Sequence, residues 1–201
     1  MFTSQVTKLN KVVFPEFNNE RIYMQKFYKQ KGLPNHLKHW QPTVDSMLEN
    51  IETDSPIFLM IDQQVVKSNT THRRPGPHID GYWIEHLNAH GGNDIPGTHS
   101  FNPNPKPSGW NIPSSWNHAS FEKPESILLA SDIAGCVGYV GNWEGNLKEG
   151  GDCTDIDLTN LQKILLEENY CYKGNVTFIH ESIPILNETP RTLVRLNLKN
   201  I

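Results

Sequence analysis

The stretch "PIFLMIDQQVV", residues 56–66, constrains the fold most. Five apolar side chains, Ile57 to Ile61, follow one another without helical spacing. The run is too short to span a bilayer and reads as a buried strand. "SILLAS" (126–131) and "CVGYVG" (136–141) predict two more strands, as do "NVTFIHESIPI" (175–185) and "RTLVRLNL" (191–198). Alternation along the last places Arg191, Leu193, Arg195 and Asn197 on one face. Helical spacing occurs elsewhere. Ile22, Met24, Phe27 and Tyr28 predict a helix over 18–31, stopped by Gly32. Val44, Met47, Leu48 and Ile51 form a stripe over 42–52. A third short helix is expected over 157–169, capped by Asp157 or Thr159. Helices first and strands afterwards predict a single mainly β domain over 1–201, with residues 1–55 as a helical N-terminal support.

The segment from Gly81 to Pro124 has no apolar periodicity and is rich in Asn, Pro, Gly, His and Trp. It reads as a long lid-like insertion, 81–125. Its rings, Trp83, Trp110 and Trp116 with His86, His90 and His99, can stack on a substrate. They can equally anchor an irregular loop to the core.

With 201 residues the chain can build a substantial core. A net charge of -4 without a long basic block argues against nucleic-acid binding. No apolar run suits a membrane helix or a signal peptide, so a cytoplasmic protein without membrane association is expected. Cys136, Cys153 and Cys171 have no CxxC spacing and read as reduced thiols. GxSxG and P-loop patterns are absent from the sequence.

Chemistry concentrates in "HRRPGPHIDGYW", 72–83. Alternation puts His78 and Asp80 on one side of an extended segment, as a pair of metal ligands. Pro75, Gly76 and Pro77 stiffen the approach. His-x-Asp alone is a weak signal, so its context matters. His180 shares a strand face with Val176 and Phe178 and points inward. Its bland alternative is a core histidine bonded to a backbone carbonyl. Two histidines and one carboxylate form the facial triad that suits non-haem iron(II). A bidentate arginine suits the far end of a dicarboxylate co-substrate.

"HID" (78–80), "FIHESIP" (178–184) and "PRTLVRLNL" (190–198) together resemble the iron(II)/2-oxoglutarate-dependent dioxygenases. The resemblance implies a double-stranded β-helix, a jelly-roll, cupin-like core over 56–201. It implies that His78, Asp80 and His180 are the catalytic iron ligands and that Arg191 pairs with the distal carboxylate of 2-oxoglutarate. Fe(II), 2-oxoglutarate and O2 would then serve to hydroxylate a C–H bond of a small molecule or peptide residue, releasing succinate and CO2. Many members place Ser or Thr two residues after the arginine. Here Leu193 and Asn197 stand there, so Arg195 remains an alternative for the co-substrate or for an anionic substrate group. Either arginine could instead pair with Asp152 or Asp155. Arg74, Trp83, Trp110 and Trp116 are the substrate-contact candidates. A cupin-type isomerase or lyase and a non-catalytic jelly-roll binding domain are the competing readings.

Overall fold

The computed structural model describes residues 1–80, 83–84, 89–90, 125–148 and 151–199. It begins with strands β1 (Phe2–Ser4), β2 (Val6–Lys11) and β3 (Arg21–Phe27). A 3-10 helix (Asn35–Trp40) runs into α1 (Gln41–Met47), and β4 (Ile57–Val66) follows. The two-residue strands β5 (Trp83–Ile84) and β6 (Ala89–His90) pair with each other. Next come β7 (Glu125–Ser131), β8 (Cys136–Trp143) and β9 (Gln162–Leu165). The chain closes with β10 (Tyr170–Asn175), β11 (Ile179–Ser182) and β12 (Thr189–Lys199). No helix among the described residues is long and apolar enough to cross a membrane.

Six strands form an antiparallel sheet in the order β2-β10-β7-β12-β4-β3. Val194, Leu196 and Leu198 of β12 are buried with Ile57, Leu59 and Ile61 of β4, packed with Trp40, Val44 and Met47 of the helical segment. The alternate residues, among them Met60, Leu129, Arg191 and Arg195, line a cavity shared with the smaller sheet. In that sheet β8 pairs with β9, with β11 and, at its far end, with β1. Both faces of β4 are therefore covered, which explains an unbroken apolar run where a half-exposed strand would alternate.

The N-terminal part differs from expectation. Residues 18–31 form strand β3 instead of a helix. A bulge between Ile22 and Gln25, with Met24 at φ 50, breaks the two-residue alternation. Ile22 and Phe27, five apart, consequently pack with one core while Met24 packs with Phe58 in another, and the apolar spacing mimics a helix. The stripe Val44, Met47, Leu48 and Ile51 is buried as expected, but α1 ends at Met47 and Asn50 (φ 61) turns the chain. The helical support over 1–55 is thus corrected to three strands and one short helical segment.

Residues 157–169 give a turn and β9 rather than a helix. Asp157 accepts from the backbone and hydroxyl of Thr159, but as a local turn, and β8 recruits the following residues as a strand. The strand expected over 175–185 is confined to β11, because Phe178 N–H donates to the Asn175 carbonyl in a turn before it. Strands β1, β2 and β10 carry no sequence signal of comparable strength. Trp110, Trp116, His86 and His99 lie outside the described residues, as does most of the insertion 81–125.

One buried charge fastens the approach to the cavity. Asp62 of β4 has no exposed surface and accepts from Arg21 of β3 and from Arg73, each at 2.9 Å. Burial opposes its ionisation, but His72, Arg73 and Arg21 outweigh it and hold the carboxyl at about 2, against an ordinary 3.8. A depressed carboxylate stabilises the fold above its unfolded value and loses that effect as pH falls through the folded one. Roughly 2 kcal/mol of stability should therefore disappear between about pH 4 and pH 2. Urea unfolding across that range should show the loss in the parent and a flatter profile in Asp62→Asn.

Candidate metal centre

The two histidines meet through their backbones. His78 N–H donates to the His180 carbonyl and His180 N–H to the His78 carbonyl, both at 2.9 Å. Such a reciprocal pair sends both side chains to the same face, and the ring centroids stand 4.6 Å apart. The His78 segment is held from its other edge as well. Ile79 N–H donates to the Gly151 carbonyl, and Cys153 N–H to that of Pro77. Gly76 adopts φ 85, a conformation that favours glycine, and its carbonyl lies 2.9 Å from His78 Nδ1. Phe178 stacks on His180 with centroids 5.3 Å apart.

Ring tautomers follow from these contacts. A carbonyl only accepts, so Nδ1 of His78 donates to Gly76, and Nδ1 of His180 donates to the Phe178 carbonyl at 3.2 Å. That leaves Nε2 of each ring as the atom available to a ligand. Burial, then the charges of His180 and Arg74, push the His78 pKa down to about 3, which keeps that ring neutral. Burial also opposes ionisation of Asp80. The Arg195 guanidinium, together with His180 and His78, outweighs it and holds the carboxyl well below the usual carboxylate range.

His78, Asp80 and His180 offer ligand atoms all within 4.8 Å of one another. Asp80 divides its oxygens. Oδ1 accepts from Arg195 Nη1 at 2.5 Å. Oδ2 is buried without a hydrogen-bond partner, 3.4 Å from His180 Nε2. Two acceptors thus face each other in a buried site, an arrangement that a shared cation relieves. The donor set of two imidazoles and one carboxylate fits a divalent transition metal.

The two arginines expected on one face of β12 do share the cavity of about 250 Å³ with the triad. The structure separates their roles. Arg195 pairs with neither Asp152 nor Asp155 but with Asp80, which the sequence did not suggest. Asp155 pairs with Lys148 instead. Arg191 is 1% exposed and donates Nε–H to Ser131 Oγ at 3.0 Å. Its Nη1 has no acceptor, and no carboxylate pairs with it among the described residues. Burial works against its charge. Arg74 lines the same cavity and is exposed. Trp83 is described only through its backbone, which pairs with that of His90. The Cys153 thiol is fully buried and pushed up to about 12, so it is no nucleophile.

No protein-family model, curated protein or solved structure matches this chain.

A divalent ion that binds only the folded triad should raise the melting temperature. At 100 times its Kd the ion adds about 3 kcal/mol, which for a chain of this size is roughly 5–10 °C. Thermal unfolding with Mn(II) should show that rise in the parent and none in His180→Ala.

Proposed function

We propose that this chain is an Fe(II)/2-oxoglutarate-dependent dioxygenase that hydroxylates a C–H bond of a small molecule or peptide residue. Its two opposed antiparallel sheets are read as a double-stranded β-helix, with β11 of the smaller sheet supplying His180, the segment bridged to it supplying His78 and Asp80, and the larger sheet the co-substrate arginine. The observation that carries the reading is Arg191. A buried guanidinium without a carboxylate partner among the described residues opens on the same cavity as a two-histidine, one-carboxylate cluster. Buried charges are paired in a finished site, so Arg191 calls for an anion from outside.

Charge sets what that anion is. Asp80 and Arg195 cancel. A divalent ion and Arg191 would leave surplus positive charge, most of which a dianion offsets. 2-Oxoglutarate offers one carboxylate beside a keto oxygen for the metal and a second carboxylate at the far end for Arg191. When bound, Fe(II) supplies dioxygen activation coupled to decarboxylation of the 2-oxo acid, with succinate and CO2 as products. The chain's own residues do the remaining work. Burial keeps His78 neutral, and the carbonyl contacts of the two rings orient them with Nε2 available as the ligand atom. Arg195 holds Asp80 so that one oxygen faces the cluster. Met60, Leu129, Ile133 and Leu193 give the cavity an apolar lining that limits water.

Anaerobic titration with Fe(II) and 2-oxoglutarate tests the reading. The parent should develop a metal-to-ligand charge-transfer band, and His180→Ala should not. Arg191→Ala should retain the metal but lose about 100-fold in 2-oxoglutarate affinity, the value of a charge-assisted pair of about 3 kcal/mol. Succinate should form in air with the parent only. Absence of a band at saturating metal would favour a non-catalytic domain.

A further inference from the structure

The position of Arg191 depends on a residue outside the ligand set. Gly135 lies in the turn between β7 and β8, and its carbonyl accepts from Ile183 N–H at 3.0 Å. A Cβ at Gly135 would stand 2.7 Å from Arg191 Cζ, 2.7 Å from Nη1 and 3.0 Å from Nη2. It would press on the whole guanidinium. Gly135 is not among the glycines at positive φ, so its backbone suits any residue. Gly76 is the reverse case: its φ of 85 favours glycine, while the nearest atom to its Cβ is 3.7 Å away. Gly135 is therefore glycine for the sake of Arg191 and not for the turn.

The same turn grips Arg191 from other sides. Ser131 Oγ accepts from Nε and donates to the Thr192 carbonyl, and Asp132 Oδ1 accepts from Thr192 N–H at 2.7 Å. With Nε held and the side chain buried, the guanidinium can yield to a new methyl group only by moving into the cavity. Ordinary contact needs a shift of roughly 1 Å. Displacements of that size in a positioned group reduce its function by about 10²-fold.

We propose that Gly135 is a positioning residue for the anion-binding guanidinium. The space where its side chain would be is the seat of Arg191, and that seat allows the cavity to hold a 2-oxo acid with a second, distant carboxylate. The inference rests on the oxygenase reading of the site.

Calorimetric titration of Mn(II)-loaded protein with 2-oxoglutarate and with oxalate tests it, because oxalate has the metal-chelating end but no distant carboxylate. Gly135→Ala should raise the 2-oxoglutarate Kd at least about tenfold and leave the oxalate Kd within about twofold. In an Arg191→Lys background, which lacks the flat guanidinium, adding Gly135→Ala should change 2-oxoglutarate binding by less than about twofold. Equal weakening of both ligands, no weakening of either, or the same loss in the lysine background overturns the inference. So does a Gly135→Ala chain without a cooperative melt, because Arg191 and not the backbone must give way. A parent that binds oxalate but not 2-oxoglutarate overturns the co-substrate reading and the inference together. A parent that binds both, with an unaffected Gly135→Ala, overturns the inference alone.

Discussion

Two backbone hydrogen bonds between His78 and His180 organise everything around the candidate centre. They join segments about 100 residues apart in the chain and bring two imidazoles onto one face. Asp80, two residues beyond His78, follows onto that face by strand alternation. The pairing needs support on both edges. β8 holds the far side of β11, and the strand-like contacts of Pro77 and Ile79 with residues 151–153 hold the far side of His78. Without those neighbours, a lone two-residue bridge would have too little hydrogen bonding to keep its register.

The electrostatics are equally local. Asp80 accepts from the Arg195 guanidinium with Oδ1, while Oδ2 faces His180 Nε2 without a hydrogen bond. Arg195, with the two histidines, keeps it ionised despite burial. Asp62 repeats the pattern one strand away, where Arg21 and Arg73 keep a fully buried carboxylate ionised. Both carboxylates accept from arginines elsewhere in the fold. Arg191 breaks this pairing, since its contact among the described residues is a neutral hydroxyl. A buried guanidinium that meets no carboxylate directly among the described residues is a structural cost that makes sense where an anion is to bind.

The strands of the core were legible because their apolar runs are strong and long. β4, β7, β8 and β12 all lie where the sequence places them. Readings based on helical periodicity fared worse. In β3 a bulge at Met24 disguises a strand as a helix. In β9 a sequence with good helical spacing is taken as an edge strand because β8 offers unpaired backbone groups. The two cases differ physically: in β3 an irregular strand buries residues at helix-like spacing, whereas β9 is regular and mostly exposed, so pairing with β8 and not burial decides it.

For the site, residue chemistry and spacing alone determined the ligand types: His78 and Asp80 on one side of an extended segment, an inward His180, and Arg191 and Arg195 on a common face. Alternation in a strand is a local property, so a sequence can express it. Tertiary structure alone decided which arginine is available. Arg195 is taken by Asp80, across 115 residues of chain, and Arg191 rests against Gly135, from another strand connection. Both facts depend on which strands are neighbours across the two sheets. Strand pairing between distant segments is set by the packing of the whole chain, and no spacing within one segment encodes it.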